Sequence, residues 1–369
     1  MTEADCFGPE TSSQKSIAAL PVRSAQDGGI QRGEGLLPPF ANIRPDLGPV
    51  GDFGDAVDAL CHRPAEEGIT LALVVQQGGE ILAEWYGSRP ATLFEPEPQA
   101  VDADTPLISW SIAKSMVHAA VGVLVGDGRL DLTEPAPVPE WVGTDKESIT
   151  TLDLLEMRSG LRFVEDYVDA EKSDCIEMLF GAGEADTAAY AAALPLEHPP
   201  GMVWSYSSGS TNIICRVLGN IVGGGEQGMR EFLDERLFGP AGMTSADPKF
   251  DAAGTWIGSS YVHATARDFT RFGELYLRDG TVGGERVLPT GWVDQARVEV
   301  AVDPESGGPY GRHWWLWPDQ PRALGAHGYD GQYVIVLPER DAVIVHLGQT
   351  DVAVRHHLVD RLRVVIAAL

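Results

Sequence analysis

The sharpest chemical signal in the chain is the run Ser111-Ile112-Ala113-Lys114. Residues three apart on a helix share a face, so the serine hydroxyl and the lysine amine can reach one another by a hydrogen bond. The segment that follows, SIAKSMVHAAVGVLV over 111–125, is almost entirely apolar, which predicts a buried helix rather than a surface one. Lysines are scarce here: they are Lys15, Lys114, Lys146, Lys172 and Lys249, and only Lys114 sits inside an apolar helix. Burial disfavours the ammonium form, and a lysine made neutral in this way can take a proton from serine near neutral pH. The pair would then perform nucleophilic acyl transfer. The alternative is a lysine that snorkels from a helix end to the surface, and the apolar neighbours on both sides argue against it.

These residues need elements to hold them. The run TLALVVQQGGEILAEWYG, residues 70–87, has two β-rich stretches around Gly78-Gly79 and predicts a hairpin. A second such unit is QYVIVLPERDAVIVHLGQT, residues 332–350, with its turn at Pro338–Asp341. The chain then closes in a helix on which Val354, Leu358, Leu362 and Val365 recur at helical spacing. Between the strand-rich ends lie further helices: one opening at Thr150 or Thr151 with LDLLEM, one in NIICRVLGNIV and one in MREFLDERL. Residues 1–40 mix Gly, Gln, Ser and Pro without periodicity and read as a loosely ordered arm. The expected organisation is an α/β sheet domain from 41–125 and 255–369, a mainly helical part over 126–254, and an active site between them.

Ninety-five positions after Ser111 (206 minus 111), PPGMVWSYSSGSTN presents Tyr206 in a Gly- and Ser-rich loop before a helix. Such a tyrosine is ordinarily a packing residue. Together with S-x-x-K, however, Tyr206-Ser207-Ser208 resembles the second motif of the serine β-lactamase-like superfamily. GDGRLDLTEPAPVPEW, TTLDLLEMRSGL and ATARDFTRFGELYLRDG resemble that superfamily's connecting segments in order and spacing, so the likeness runs from about residue 70 to the C-terminus. FVEDYVD, YGRHWWLWPD and HGYDGQYVIVLPERD look like its 6-aminohexanoate-dimer hydrolase and esterase branch.

The resemblance implies an α/β fold with an inserted all-α part, its antiparallel sheet built from both chain ends and flanked by helices. It implies that Ser111, Lys114 and Tyr206 are catalytic and form an acyl-enzyme on Ser111. Which of Lys114 and Tyr206 acts as the base stays open. It further implies an oxyanion hole from the backbone N–H groups of Ser111 and Tyr329. Where the superfamily commonly has K-T-G, this chain has His327-Gly328-Tyr329, which removes a lysine that helps bind β-lactam carboxylates. A linear amide or carboxylic ester is therefore the expected substrate. Tyr167, Asp174, Trp315 and His327 are expected substrate contacts, with His327 equally readable as a structural strand-edge residue. An acid beside aromatics suits a substrate with a cationic end and an aliphatic body. The alternatives are a D-amino-acid peptidase, a weak β-lactamase, or a sensor that stays acylated at Ser111.

Other functions are disfavoured by composition and by missing motifs. A net charge of -27 repels phosphate backbones and anionic lipids, so neither nucleic acid nor membrane is an expected partner. A small-molecule substrate is, and a homodimer is compatible with the reading. The first residues lack a secretory signal, which points to the cytoplasm. Cys6, Cys61, Cys175 and Cys215 are scattered, which predicts free thiols and no zinc site. His356 and His357 are adjacent, so they splay to different sides of a helix. Gly223-x-Gly225-x-x-Gly228 joins two helices, whereas a dinucleotide fingerprint must follow a strand. G-x-S-x-G, H-E-x-x-H and a Walker loop are absent. No cofactor and no metal are expected.

Overall fold

A computed structural model of the protein describes residues 29–30, 51–92, 96–304 and 306–369. The expected arm over 1–40, apart from residues 29–30, and Cys6 lie outside the described residues. The centre of the fold is an eight-stranded sheet. In chain order its strands are β1 (Ile69–Gln77), β2 (Glu80–Tyr86), β3 (Ala301–Val302), β4 (Pro309–Tyr310), β5 (Trp315–Leu316), β6 (Leu324–Gly328), β7 (Gln332–Leu337) and β8 (Ala342–Gln349). In space they run β3-β4-β5-β6-β7-β8-β1-β2, and every neighbouring pair is antiparallel. The sheet is thus built from both chain ends, as the sequence implies.

The β1–β2 hairpin turns at Gly78 and Gly79, whose φ values of 59° and 84° are the left-handed pair that a tight two-residue hairpin loop requires. The β7–β8 connection is a 3-10 turn over Pro338–Arg340 followed by Asp341 at φ 49°. Strand alternation explains why both runs are so apolar. Ala72, Val74, Val334, Val336, Val343 and Val345 enter the main core, while Leu73, Val75, Tyr333, Ile335, Ala342 and Ile344 enter a second cluster on the opposite face. A sheet covered on both faces has no polar side to show.

The helices are α1 (Phe53–Cys61), α2 (Ile112–Gly126), α3 (Thr151–Leu155), α4 (Asp174–Phe180), α5 (Thr187–Ala193), α6 (Ser208–Val222), α7 (Gly225–Leu233), α8 (Ala266–Leu277), α9 (Trp292–Ala296) and α10 (Arg355–Ala368). The second cluster is closed by α1 and α10 through Leu60, Leu358, Leu362 and Val365. α2 and α8 cover the main face, and every residue of α2 from Ile112 to Leu124 is buried. Met116, Val117, Val121 and Leu124, each 0% exposed, contribute roughly 6–12 kcal/mol of burial together at about 1.5–3 kcal/mol apiece. That sum lets the same helix carry a buried lysine.

Caps set the helix starts. The Thr150 hydroxyl accepts from Asp153 N–H and the Asp153 carboxylate accepts from Thr150 N–H, a complete capping box at the head of α3. Gly223 and Gly224 link α6 to α7, which opens at Gly225, and all three have positive φ, in the connecting role expected of them.

Candidate active site

Ser111 is delivered to its place by backbone strain. The short strand Leu107–Ile108 pairs with Val262–Ala264, and the buried Ser109 hydroxyl accepts from Val262 N–H at 3.0 Å. Trp110 then adopts φ 43°, a left-handed conformation rare for a bulky residue, and turns the chain into α2. Ser111 occupies the N-cap position of α2, yet its side chain makes no capping bond. The hydroxyl instead lies within hydrogen-bond distance of Lys114 Nζ, at 2.9 Å. Lys114, one turn on and 1% exposed, also reaches Ser208 Oγ at 2.9 Å and Ser259 O at 3.0 Å. Burial pushes its pKa down, and the Glu165 carboxylate works against that shift.

Tyr206 comes from the loop before α6. Its ring lies 4.9 Å from Lys114 Nζ and packs against Tyr310 and Trp315. Burial and then the Glu165 charge hold its phenol well above the usual tyrosine range, while a hydrogen bond with Ser111 pulls the other way. Lys114 is thus biased toward the neutral amine and Tyr206 toward the neutral phenol.

Beneath this trio is a residue that sequence reasoning did not single out. Glu165, 1% exposed, accepts from Ser208 N–H at 2.6 Å, Ser208 O–H at 2.5 Å and Tyr167 O–H at 2.6 Å. It stands in FVEDYVD, two positions before Tyr167, and only the spacing to Ser208 in the folded chain reveals it.

The opposite wall is the end of β6. Gly328 presses so closely on the Ser109–Ser111 segment that a Cβ there would lie 2.5 Å from Ser109 O. The next residue, Tyr329, packs its ring edge-on to Trp110 at 5.8 Å and against Tyr167 at 5.2 Å. Among the described residues neither the Ser111 nor the Tyr329 N–H donates to a backbone carbonyl in a turn or loop.

The remaining expected substrate contacts are placed differently from one another. Tyr167 is half-buried at the Tyr329 wall, facing the site. Trp315 is 3% exposed and wedged beneath Tyr206 and Tyr310, so what it touches is the catalytic tyrosine candidate. Asp174, 6% exposed, accepts from Arg162 at 3.1 Å, Val164 N–H at 2.8 Å and Tyr190 O–H at 3.1 Å. Both of its oxygens are engaged in tying α4 to the 162–164 segment. His327 points to the α10 side of the sheet, ringed by Trp315, Trp317 and Tyr333, and burial pushes its pKa down to about 3.

Beyond Trp110 the wall continues into Tyr261, whose ring lies 5.8 Å away and which lines an open groove of about 630 Å³ with Phe180, Glu184, Lys249 and His263. Cys61, Cys175 and Cys215 are free thiols, as expected. Among the described residues no group of three or more His, Cys, Asp or Glu is arranged to hold a metal ion, and no helix is long and apolar enough to cross a membrane.

Comparison with known proteins adds a family to this geometry. A family model described as Beta-lactamase matches residues 58–369. The 6-aminohexanoate-dimer hydrolase of Paenarthrobacter ureafaciens is 28% identical over 349 residues, covering 87% of this chain and 85% of that protein. Among solved structures, a penicillin-binding protein homologue from Caulobacter crescentus superposes with a TM-score of 0.67 at 18% identity, over 87% of this chain and 99% of that one. A family VIII carboxylesterase does so with a TM-score of 0.65 at 16% identity, over 86% and 97%. At these identities the two structures speak for the fold alone.

Proposed function

Since the chain belongs to the Beta-lactamase family, a family of serine β-lactamase-like hydrolases, we propose that it hydrolyses a linear amide or carboxylic ester through an acyl-enzyme on Ser111. The observation that carries the reading is the 2.9 Å contact between Lys114 Nζ and Ser111 Oγ at the head of a fully buried helix. A hydroxyl that caps nothing and faces a lysine biased toward its neutral form is a nucleophile beside its base.

In the first step Lys114 takes the Ser111 proton as Oγ attacks the substrate carbonyl, and the backbone N–H groups of Ser111 and Tyr329 receive the oxyanion. Tyr206, held as a phenol, gives its proton to the leaving nitrogen or oxygen, and the Lys114 ammonium returns one to Tyr206. Water then attacks the acyl-enzyme, its proton travelling back along the same groups. The assignment of Lys114 as base and Tyr206 as acid follows from the opposite directions of their pKa shifts.

Three observations bear on the substrate. His327, Gly328 and Tyr329 supply no cation at the end of β6, where burial keeps the His327 imidazole neutral, and this disfavours an anionic β-lactam. The Trp110, Tyr167, Tyr261 and Tyr329 rings give an aromatic wall, which suits an aliphatic chain. The Paenarthrobacter relative is named as a hydrolase of a 6-aminohexanoate dimer. The test is a panel of p-nitrophenyl esters, linear ω-amino-acid amides and a chromogenic cephalosporin against the wild type and Ser111→Ala. Turnover of amides or esters, slow cephalosporin cleavage and an inert Ser111→Ala are expected. Cephalosporin turnover exceeding the others, or an active Ser111→Ala, overturns the proposal.

A further inference from the structure

Lys114 can serve as a base only if its lone pair faces Ser111, and nothing in the lysine itself enforces that. Its three neighbours do. Ser259 O is a carbonyl and can only accept. Ser208 Oγ has one proton, and that proton is directed at Glu165 Oε1 across 2.5 Å, so toward Lys114 the same oxygen can only accept. A neutral amine has two N–H bonds. With both given to Ser259 O and Ser208 Oγ, its remaining valence, the lone pair, is aimed at Ser111 Oγ 2.9 Å away.

We propose that Glu165 is a positioning residue of the catalytic centre: through the Ser208 hydroxyl it orients the Lys114 amine toward Ser111 and holds the ammonium formed when Ser111 gives up its proton. The inference rests on the hydrolase reading above. In the step concerned, the Ser111 O–H bond breaks, its electron pair stays on Oγ for attack, and the proton forms a third N–H bond on Lys114. A full positive charge then appears inside the protein one hydroxyl away from the Glu165 carboxylate. Glu165 itself is pinned by three donors, including the Tyr167 hydroxyl, which links the lysine's environment to the aromatic wall.

The groups around Lys114 leave this charge unopposed. Burial pushes the thiols of Cys175 on α4 and Cys215 on α6 upward. It does the same to the phenols of Tyr167 and Tyr206. His313, which meets Thr211 Oγ1 and Leu155 O, is pushed down to about 3. All five are neutral across about pH 5–9, so among these groups Glu165 supplies the one full counter-charge. A purely structural alternative exists, because Ser208 N–H at the head of α6 also bonds Glu165 and a carboxylate there stabilises a helix.

The experiment is the pH profile of kcat/KM for Glu165→Gln in the full chain, with thermal melting measured alongside. Without the negative charge the ammonium is less favoured, so the limb that rises as Lys114 loses its proton should move to lower pH by about one unit. On the plateau kcat should fall at least about tenfold while KM stays within about twofold, because the loss lies in the proton-transfer step. Ser208→Ala keeps the backbone bond to Glu165 and removes only the relay. It should lose kcat similarly, and the double variant should be no worse than the poorer single one. It also carries the test where Glu165→Gln fails to fold. An unmoved acid limb with intact melting in Glu165→Gln, or wild-type kcat in Ser208→Ala, overturns the proposal. Absence of turnover in the wild type would instead refute the hydrolase reading, so the two failures are distinguishable.

Discussion

Gly328→Ala is the substitution whose consequence can be worked most directly from the backbone. Gly328 has φ -123° and ψ 162°, ordinary extended values that alanine adopts freely, so the change adds no backbone strain. It adds a methyl 2.5 Å from Ser109 O and 3.0 Å from Gln332 Cβ. A carbon–oxygen contact settles at roughly 3.4 Å, so the end of β6 and the Ser109–Ser111 segment must part by about 0.9 Å. The stability cost is that of moderate overpacking, on the order of 1–3 kcal/mol, and the melting temperature should drop by a few degrees. Activity should suffer far more. The Tyr329 and Ser111 N–H groups sit on the two segments being forced apart, and losing one oxyanion donor costs about 10²–10³ in kcat. The expectation is a folded variant with kcat for a p-nitrophenyl ester down by about two orders of magnitude, KM little changed and fluorophosphonate labelling slowed in parallel. A Gly328→Ala protein with near-native melting and wild-type kcat would refute the argument that this close approach builds the oxyanion site.

Other consequences follow from the same geometry. The pH profile of kcat/KM should rise through the depressed pKa of Lys114, because the neutral amine is the active form, and should stay flat until well above pH 10, because Tyr206 is held protonated. A profile that instead falls through neutrality would reverse the assignment of base and acid. Tyr206→Phe should lose roughly 10² or more in kcat, and combining it with Lys114→Ala should be far less than additive, since the groups act as a unit. Full additivity in a double-mutant cycle would separate them. Asp174→Asn should weaken ester and ω-amino amide hydrolysis equally and lower the melting temperature, because its oxygens serve Arg162, Val164 and Tyr190. A loss confined to the amine-bearing substrate would instead make Asp174 a contact for the substrate ammonium.

The way these residues were legible in the sequence differed with how local their partners are. Ser111 and Lys114 could be paired from spacing alone because one helical turn joins them. The two sheet hairpins were visible because an apolar run broken by Gly78-Gly79, or by Pro338–Asp341, leaves few alternatives. Tyr206 could not be paired by spacing, since a separation of 95 positions (206 minus 111) carries no register, and only family resemblance connected it. Glu165 escaped for the same reason without that help: its meaning comes from Ser208, 43 positions away, and an acid in a loop looks like any solvated charge. The face of His327 was within reach of strand alternation. With Leu324 and Ala326 in the main core, residue 327 must point to the other side of β6, among Trp317 and Tyr333. Trp315 shows the reverse difficulty, because an aromatic that supports a catalytic side chain and one that touches substrate have the same sequence signature.

The central claim is that Ser111 is the nucleophile, and covalent labelling tests it without any assumption about the substrate. The wild type is treated with a fluorophosphonate, digested and mapped by mass spectrometry, with Lys114→Ala treated in parallel. The account predicts one phosphonyl group on the peptide carrying Ser111 in the wild type, and labelling slowed by orders of magnitude when Lys114 is removed. A modified serine elsewhere with Ser111 untouched would contradict it.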